Sequence, residues 1–374
     1  MNKKILIFID WFLPGINSGG PVRSYFNMIS HLEDEFDFYV ITRNKDYCSN
    51  IIYDNIITND WNVFSKNCKI FYLSDTKIKK IQYLKIVNDV SPDLIFINGV
   101  YSFYFSILPL LYFRNNNVIV SARGMLSSQA FTSKGFRKKI FLKFFSFLGI
   151  YNKITFHATN VKEKKSIIKK IGSKINIKIA SNFPKKIDND VRIRNKNDVT
   201  RFINLSRISI EKGTLRMLIA FVDVKFEAVI DIYGTIYNPE YWQKCQKLIN
   251  KLPANITVNY KGVIPYEKIS KSFQSYDYMI SLSDGENYGH SIIESFSSGI
   301  PVIISNNTPW VNLQEKKLGW DLDLKNSNVS QVVNDACSLS STEYISMSSN
   351  CYKFAKTICN SKQTKNENLQ LLRI

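Results

Sequence analysis

YMISLSDGENYGHSIIESFSSGIPVIIS, residues 278–305, is the stretch whose pattern decides the fold. The apolar run YMISLS leads into a polar loop from Asp284 to Asn287, then into helical spacing that Gly299 ends, then into a second apolar run. Strand, loop, helix and strand in this order predict part of an open parallel sheet. Ligands bind beyond the carboxyl ends of such strands, where the helix beginning near Gly289 directs free N–H groups. We therefore expect a ligand at this loop.

Strand-like and helix-like segments alternate along the whole chain, which predicts an α/β fold with doubly wound sheets. The buried-type strands are KILIFID, FDFYVIT, DLIFING, NVIVSA and KITFHAT, followed later by RFINLS, AVIDIYG, ITVNYKG, YMISLS and PVIIS. Between these two sets, the polar stretch PKKIDNDVRIRNKNDVT beginning at Pro184 is typical of a linker. We predict a Rossmann-like domain over residues 1–183, a linker over 184–199, a second Rossmann-like domain over 200–355, and a C-terminal helical segment, 356–374, that packs back on the first domain.

The bulk composition is that of a folded protein. A length of 374 residues suits two α/β domains with a cleft between them. Lys and Arg outnumber Asp and Glu by 50 to 31, and the net charge of +19 attracts phosphates, anionic lipid headgroups or nucleic acid. Many lysines lie in a background rich in Ile and Asn, so the charge alone does not name a partner.

The cysteines and apolar runs indicate a reducing cytoplasm and no membrane span. The six cysteines show no C-x-x-C and no metal-ligand spacing with His. The initial apolar run stops at Asp10, shorter than the roughly 7–15 residues of a signal peptide. The most apolar later stretch, Gly99 to Phe113, is shorter than the ~20 residues that span a bilayer.

Two cations follow the first strand of the second half, in RFINLSRISIEKGTLRMLIAF, residues 201–221. Arg207 and Lys212 flank a loop that leads through Gly213 into a helix. Converging cations and helix N–H groups are typical of a diphosphate site that works without a metal ion. An ordinary basic surface loop is the alternative that the residues alone leave open.

Glu286 and Glu294 are eight residues apart, which corresponds to about 12 Å along a helix axis. Paired carboxylates that act as acid and base on one bond lie ~5–9.5 Å apart, so this spacing disfavours a coupled acid and base. It suits a ligand as long as a nucleotide sugar, with one carboxylate near the sugar and the other near the ribose. A capping acid in the loop and a solvated glutamate on the helix are the alternative.

Two further strand ends carry polar residues in the first half. Gly19 and Gly20 precede a helix that opens at Pro21, and paired glycines allow close approach to a ligand, although a simple tight turn fits equally well. Arg123 follows the strand VIVSA at the edge of the predicted crevice. His157 ends another strand, where we expect a structural role.

Two other motifs carry competing interpretations. The segment SKGFRKKIFLKFFSFLGIY, residues 133–151, interleaves cations with Phe and Leu, as a helix on an anionic membrane would. We favour a helix that faces the core with a solvated basic side. Asp321 and Asp323 imitate a metal-binding Asp-x-Asp, but they lie well downstream of the loop and are interpreted as unrelated to metal.

The motifs in this order resemble those of retaining, family-four glycosyltransferases of the GT-B fold, whose two Rossmann-like domains face each other across a cleft. GENYGHSIIESFSSGIPVI resembles the family's E-x7-E signature, and LSRISIEKGTLRMLIAF resembles its Arg-x4-Lys-Gly segment. INSGGPVRS is similar to the N-terminal glycine loop. RGMLSSQAF and NTPWVNLQEKKLGW resemble a subgroup associated with bacterial surface-polysaccharide assembly. The likeness covers nearly the whole chain.

The resemblance implies a role for each matching residue. Arg207 and Lys212 would hold the donor diphosphate, and Glu294 the ribose. Glu286 would contact the transferred sugar and is a candidate catalytic residue. The donor site would be completed by Gly19, Gly20, Asn287, Tyr288, Gly289 and His290.

The sequence departs from the family pattern in two places. Arg123 stands where many members have a His near the donor sugar, so it is a candidate catalytic residue and a candidate contact for donor or acceptor. Thr308, Pro309 and Trp310, with Asn312, replace the usual Gly-Gly and acidic residue. That part of the donor pocket is not carried over.

The expected function is transfer of a hexose-type sugar, with retention and without a metal, from a UDP- or GDP-sugar to a glycan or polyprenyl-diphosphate-linked acceptor. The setting would be O-antigen, capsule or exopolysaccharide synthesis in the cytoplasm, at the inner face of the membrane. No cofactor is expected, because the nucleotide sugar is a co-substrate. No nucleic-acid partner is expected. Two alternatives remain: a sugar-nucleotide epimerase of similar fold, and a non-catalytic nucleotide-sugar or glycan binder.

Overall fold

The computed structural model describes residues 2–127, 135–187, 193 and 195–374, apart from the side chains of residues 135–137. The chain divides into two compact units, Met1–Phe183 with Ser361–Ile374, and Pro184–Asn360. Residues 188–192 and 194 of the predicted linker, and residues 128–134, lie outside the described residues.

The first unit is built on a sheet with eight strands among its described residues. They are β1 Lys3–Phe8, β2 Phe36–Arg43, β3 Trp61–Ser65, β4 Cys68–Leu73, β5 Leu94–Asn98, β6 Val118–Ser121, β7 Thr155–Ala158 and β8 Asn176–Ile179. Their order is β3-β4-β2-β1-β5-β6-β7-β8, and all neighbours are parallel except β3 and β4. Successive residues of β1 enter opposite cores: Leu6 and Phe8 pack on one face of the sheet, and Ile5 and Ile7 on the other.

The second unit has a sheet of six strands among its described residues. They are β9 Thr200–Leu205, β10 Ala228–Tyr233, β11 Ile256–Gly262, β12 Tyr278–Ser281, β13 Val302–Ser305 and β14 Gly319–Leu322. All are parallel, in the order β11-β10-β9-β12-β13-β14. The chain therefore winds outward in both directions from β9 and β12, which defines a topological switch point between them.

Helices cover the faces of both sheets. They are α1 Gly20–Leu32, α2 Lys80–Val90, α3 Leu108–Phe113, α4 Gly135–Phe147, α5 Val161–Ile171, α6 Thr214–Ile219, α7 Pro239–Ile249, α8 Ile269–Phe273, α9 His290–Ser297, α10 Val329–Ser338, α11 Ser341–Cys359 and α12 Lys362–Leu372. Shorter turns are a π-helical one at Phe103–Ile107 and 3-10 ones at Asp75–Lys77, Ile210–Lys212 and Tyr266–Lys268. The predicted α/β class with two doubly wound, Rossmann-like units is confirmed.

The last helix, α12, completes the first unit rather than the second. Leu371 and Leu372 are buried in the core that contains Ile5 and Ile7. The Asn368 amide donates to the Ser181 carbonyl over 2.9 Å. The first unit is thus made from two separate parts of the chain.

Candidate functional site

The loops that follow β9 and β12 lie together at the switch point of the second unit. The Asp284 N–H donates to the Glu211 carbonyl over 2.8 Å, and the Ser283 hydroxyl donates to the same carbonyl over 3.2 Å. Gly213 has φ 70°, and a Cβ there would lie 2.1 Å from the Leu282 carbonyl oxygen. Only glycine allows the two backbones to approach this closely.

An ion pair joins the two loops through their side chains. Lys212 Nζ lies 2.6 Å from Glu286 Oε1, and the two side chains are 16% and 19% exposed. The sequence predicted both residues for the site but assigned them to different parts of a ligand. The structure brings them into direct contact, so a cation and a carboxylate are held at the carboxyl edge of the sheet.

Arg216 on α6 is a site residue that the sequence reasoning missed. Its guanidinium donates to the Leu282 carbonyl over 2.9 Å and to Asp284 Oδ1 over 3.0 Å. These contacts fix the start of the loop that carries Glu286. The sequence contained a signal for this role. Arg216 lies four residues after Lys212 and three after Gly213, so it falls on the first turn of α6, close to the same loop.

Arg207 lies beside the neighbouring loop, with its guanidinium 5.4 Å from the Tyr237 ring centre. A groove of about 500 Å³ runs here, lined by Ser209, Ile210, Glu211, Tyr237, Asn238, Pro239 and Glu240. The hydroxyls of Ser209 and Thr214, on either side of Lys212, are buried without a hydrogen-bond partner among the described residues. Ser209 and Thr214 are 2% and 0% exposed, and buried hydroxyls without partners are unusual in folded proteins.

The loop after β12 is held against the β13 side of the sheet. The Glu286 N–H donates to the Asn307 carbonyl over 3.3 Å. The Trp310 indole donates to the Tyr288 carbonyl over 2.6 Å. Gly289, with φ 77° at the start of α9, would with a Cβ come within 2.8 Å of the Ile292 side chain.

The remaining predicted donor residues lie on this loop and helix. His290 and Glu294 are on the buried face of α9, 6% and 3% exposed. The ring of His290 lies 4.8 Å from that of Tyr288. Burial raises the pKa of the Tyr288 hydroxyl, which keeps it neutral. Asn287 is half-buried in the loop between them.

The segment that departs from the family pattern is held by local contacts. The Thr308 hydroxyl accepts from the Trp310 N–H over 3.1 Å. Asp321 accepts from the N–H groups of Asn312 and Leu313, over 3.0 and 2.8 Å. Asp323 accepts from the Lys325 N–H over 3.0 Å. The carboxylates of the Asp-x-Asp motif therefore hold turns.

Among the described residues, no group of three or more His, Cys, Asp or Glu is placed to hold a metal ion.

In the first unit, the predicted residues occupy the carboxyl edge of its sheet. Gly19 has φ 74° just before α1, and a Cβ on Gly19 or Gly20 would meet nothing within 4 Å. Backbone conformation therefore requires the glycine at 19, and neither position is crowded.

Arg123 follows β6 in the left-handed region, with φ 50°. Its guanidinium hydrogen-bonds Asn182 Oδ1 and lies 4.6 Å from the Tyr25 ring centre. Next to it, the Gly124 N–H donates to Glu163 Oε1 over 2.5 Å. Arg123 is thus held in one orientation by the surrounding residues.

His157 is buried at the end of β7 and bonded at both ring nitrogens. Its Nδ1 lies 2.9 Å from the Ser121 hydroxyl and its Nε2 lies 2.8 Å from the Ala180 carbonyl. Burial, reinforced by the Arg123 charge, lowers the pKa of His157 to about 4. These contacts agree with the structural role expected from the sequence.

Comparison with known proteins points to one family for the region of this site. Residues 186–316 match the family model described as "Glycosyl transferases group 1". Among curated proteins, alpha-monoglucosyldiacylglycerol synthase of Streptococcus pneumoniae is 32% identical over 120 residues, which cover 31% of this chain and 27% of that protein. The chain thus matches well under a third of this relative's length.

Solved structures share the fold across the whole chain. Anabaena Alr3699/HepE in complex with UDP and glucose has a TM-score of 0.68 at 14% identity, covering 100% of this chain and 99% of that one. WaaG, a glycosyltransferase involved in lipopolysaccharide biosynthesis, has a TM-score of 0.67 at 12% identity, covering 98% and 99%. No helix of the described residues is long and apolar enough to cross a membrane.

Proposed function

We propose, from the premise that residues 186–316 are a domain of the glycosyl transferases group 1 family, that this protein is a nucleotide-sugar-dependent glycosyltransferase. The observation that carries the proposal is the Lys212–Glu286 ion pair at the switch point of the second unit. It lies where open parallel sheets bind their ligands. The two partly buried charges in contact there match the residues that the family motif assigns to the donor.

Charge balance supports a diphosphate as the group that Lys212 recognises. A diphosphate provides several anionic oxygens, and Lys212 can exchange part of its pairing with Glu286 for them. Glu286 then has acceptor capacity for sugar hydroxyl groups. Arg207 and the unpartnered hydroxyls of Ser209 and Thr214 supply further donors. We assign Glu294 to the ribose, with Asn287, Tyr288, Gly289 and His290 completing the donor site.

The proposed reaction retains the anomeric configuration and uses no metal. Cations that neutralise the departing diphosphate lower the barrier electrostatically, because they are already oriented toward the developing charge. No side chain is assigned as a nucleophile, and the leaving phosphate accepts the acceptor's proton. Arg123 is proposed to contact donor or acceptor, and Gly19 and Gly20 the donor phosphates.

The proposed substrates are a UDP- or GDP-hexose and a glycan or polyprenyl-diphosphate-linked acceptor, in bacterial surface-polysaccharide synthesis. The location would be cytoplasmic, at the inner face of the membrane. Relatives support this class: one is named for synthesis of a glucosyl lipid, one was solved with UDP and glucose, and one is described as acting in lipopolysaccharide biosynthesis.

A thermal-shift panel of UDP, GDP, ADP and dTDP sugars tests the proposal, because a ligand that binds the folded state raises the melting temperature. One nucleotide class should raise the melting temperature, and Lys212→Ala should show a smaller shift at the same ligand concentration. Turnover of the donor without acceptor into an epimer would establish the epimerase instead. Donor binding without nucleotide release in any acceptor mixture would indicate a non-catalytic binder.

A further inference from the structure

The loop after β13 holds the loop after β12 at two places. The Glu286 N–H donates to the Asn307 carbonyl over 3.3 Å. Two residues further along the same loop, the Tyr288 carbonyl accepts from the indole N–H of Trp310 over 2.6 Å. The short stretch from Glu286 to Tyr288, which belongs to the proposed donor site, is therefore fixed at both of its ends by the neighbouring loop.

The indole that makes the second of these contacts is itself held by aromatic packing. The Trp310 ring centre lies 5.6 Å from that of Tyr288, 6.2 Å from that of Phe296 on α9 and 6.1 Å from that of Phe354 on α11. All three contacts are edge-to-face, an arrangement that aromatic rings prefer. Because rotation of the indole would disturb all three, its N–H is kept in the direction of the Tyr288 carbonyl.

The backbone of Trp310 is fixed by Thr308. The Thr308 hydroxyl accepts from the Trp310 N–H over 3.1 Å and donates to the Trp310 carbonyl over 3.2 Å. A hydroxyl can donate and accept at the same time, so one side chain holds both polar groups of this residue. The segment that departs from the family pattern thus places its tryptophan through main-chain and side-chain contacts together.

Trp310 also lies against the start of α9, where the helix directs its free N–H groups. A Cβ on Gly289 would come within 3.4 Å of the indole nitrogen. Anionic and polar ligand groups bind at such helix starts. The contact between Trp310 and Tyr288 is therefore made next to the place where a donor would lie.

We infer that Trp310 is a positioning residue for the sugar end of the donor. By holding the Tyr288 carbonyl, it keeps the stretch from Glu286 to Tyr288 in its binding conformation before the ligand arrives. A loop ordered in advance binds more tightly, because binding does not have to supply the cost of ordering it. The inference rests on the proposed function and adds to it a residue that the family motif does not assign. Lys212 lies on the loop after β9, so recognition of the diphosphate does not depend on this contact.

Trp310→Phe tests the inference, because it keeps an aromatic ring in the cluster and removes the indole N–H. Isothermal titration of the full chain compares UDP-glucose with UDP, GDP-mannose with GDP, ADP-glucose with ADP, and dTDP-glucose with dTDP. For the pair that the parent binds, the variant should lose about three- to tenfold in affinity for the nucleotide sugar, the range that one hydrogen bond contributes. Its affinity for the nucleoside diphosphate should stay within about twofold of the parent's, because the two contacts are independent.

A second variant reaches the same contact from the backbone. Thr308→Val keeps the shape of the side chain but removes the hydroxyl that holds Trp310, so it should also weaken binding of the nucleotide sugar and spare the nucleoside diphosphate. In Trp310→Phe/Thr308→Val the two losses of affinity should not multiply, because both changes act through one hydrogen bond.

The matched control is Trp320→Phe, the same change at a half-buried tryptophan on β14 in the same unit. It should bind both members of the pair like the parent. Unchanged affinity of Trp310→Phe for the nucleotide sugar, or an equal loss for both members of the pair, would overturn the inference and leave Trp310 a structural residue. A parent that binds neither member of any pair would instead overturn the proposed function, and this inference with it.

Discussion

Lys212 and Glu286 meet at 2.6 Å although 74 residues separate them in the sequence. Their contact holds the loop after β9 against the loop after β12, and it keeps a cation in place at the carboxyl edge of the sheet. A ligand that competes for Lys212 also changes what Glu286 can bind. The first two predictions separate these two roles.

Lys212→Ala should weaken binding of the responding nucleoside diphosphate about ten- to hundredfold, because charge-assisted hydrogen bonds contribute ~1.5–3 kcal/mol. Isothermal titration measures the dissociation constant directly. Lys244→Ala, which removes an exposed cation from α7 in the same unit, is the control and should bind like the parent. Unchanged affinity in the Lys212 variant contradicts the assignment of the diphosphate.

Glu286→Gln should leave diphosphate affinity within about threefold of the parent, since the amide keeps the shape and Lys212 remains available. The rate of sugar transfer should fall about 100-fold or more, which is the loss typical of removing a group oriented toward a developing charge. Nucleotide release from the responding nucleotide sugar measures the second quantity. An equal loss of diphosphate binding and of nucleotide release would show that Glu286 acts only by placing Lys212.

Gly213→Ala should destabilise the second unit by about 3 kcal/mol or more. It adds the ~1–2 kcal/mol cost of a left-handed alanine to a clash with the Leu282 carbonyl, 2.1 Å from the new Cβ. Gly262→Ala is the control, because Gly262 has φ 74° but a Cβ there meets nothing within 4 Å. Urea unfolding of both variants isolates the steric part. Equal losses of unfolding free energy would show that the close approach of the loops is not maintained.

His157 should make the first unit less stable as the pH falls. Above pH 6.5 the imidazole is neutral in both the folded and the unfolded chain. Between 6.5 and about 4 the unfolded chain binds a proton that the folded chain does not, so the free energy of unfolding decreases with falling pH. The loss should total roughly 3 kcal/mol and level off below pH 4.

Urea unfolding between pH 7 and pH 4 checks this, with His157→Gln as the comparison. The variant should be less stable at pH 7, because the contacts with Ser121 and Ala180 change, but its stability should depend less on pH. A parallel pH dependence in the two proteins would assign the titration to another group.

The sequence predicted the interior strands because residues buried on both faces form continuous apolar runs, as in β1 and β12. It missed β3, β4, β8 and β14. Three of these, β3, β8 and β14, are edge strands of mixed polarity, as in WNVFS at β3, and such residues carry no clear period. The stretch CKIFYL of β4 is as apolar as a buried strand, but only two residues separate it from β3. The sequence therefore shows no clear boundary between the two strands of this hairpin.

The candidate site was predicted as a set of residues and not as a set of contacts. Spacing placed Lys212 and Glu286 after strand ends, and parallel topology brought those ends to one edge. That the two side chains pair depends on how closely the loops approach, which Gly213 determines and no local pattern encodes. The role of Arg216 depends on the same packing.

The placement of α12 has a consequence for synthesis on the ribosome. Leu371 and Leu372 fill part of the core of the first unit, yet they are translated after the whole of the second. The core of the first unit can therefore be completed only after all of Pro184–Asn360 has been made. A chain that ended at Asn360 would contain every strand of the first sheet but would lack two of the side chains that fill its core.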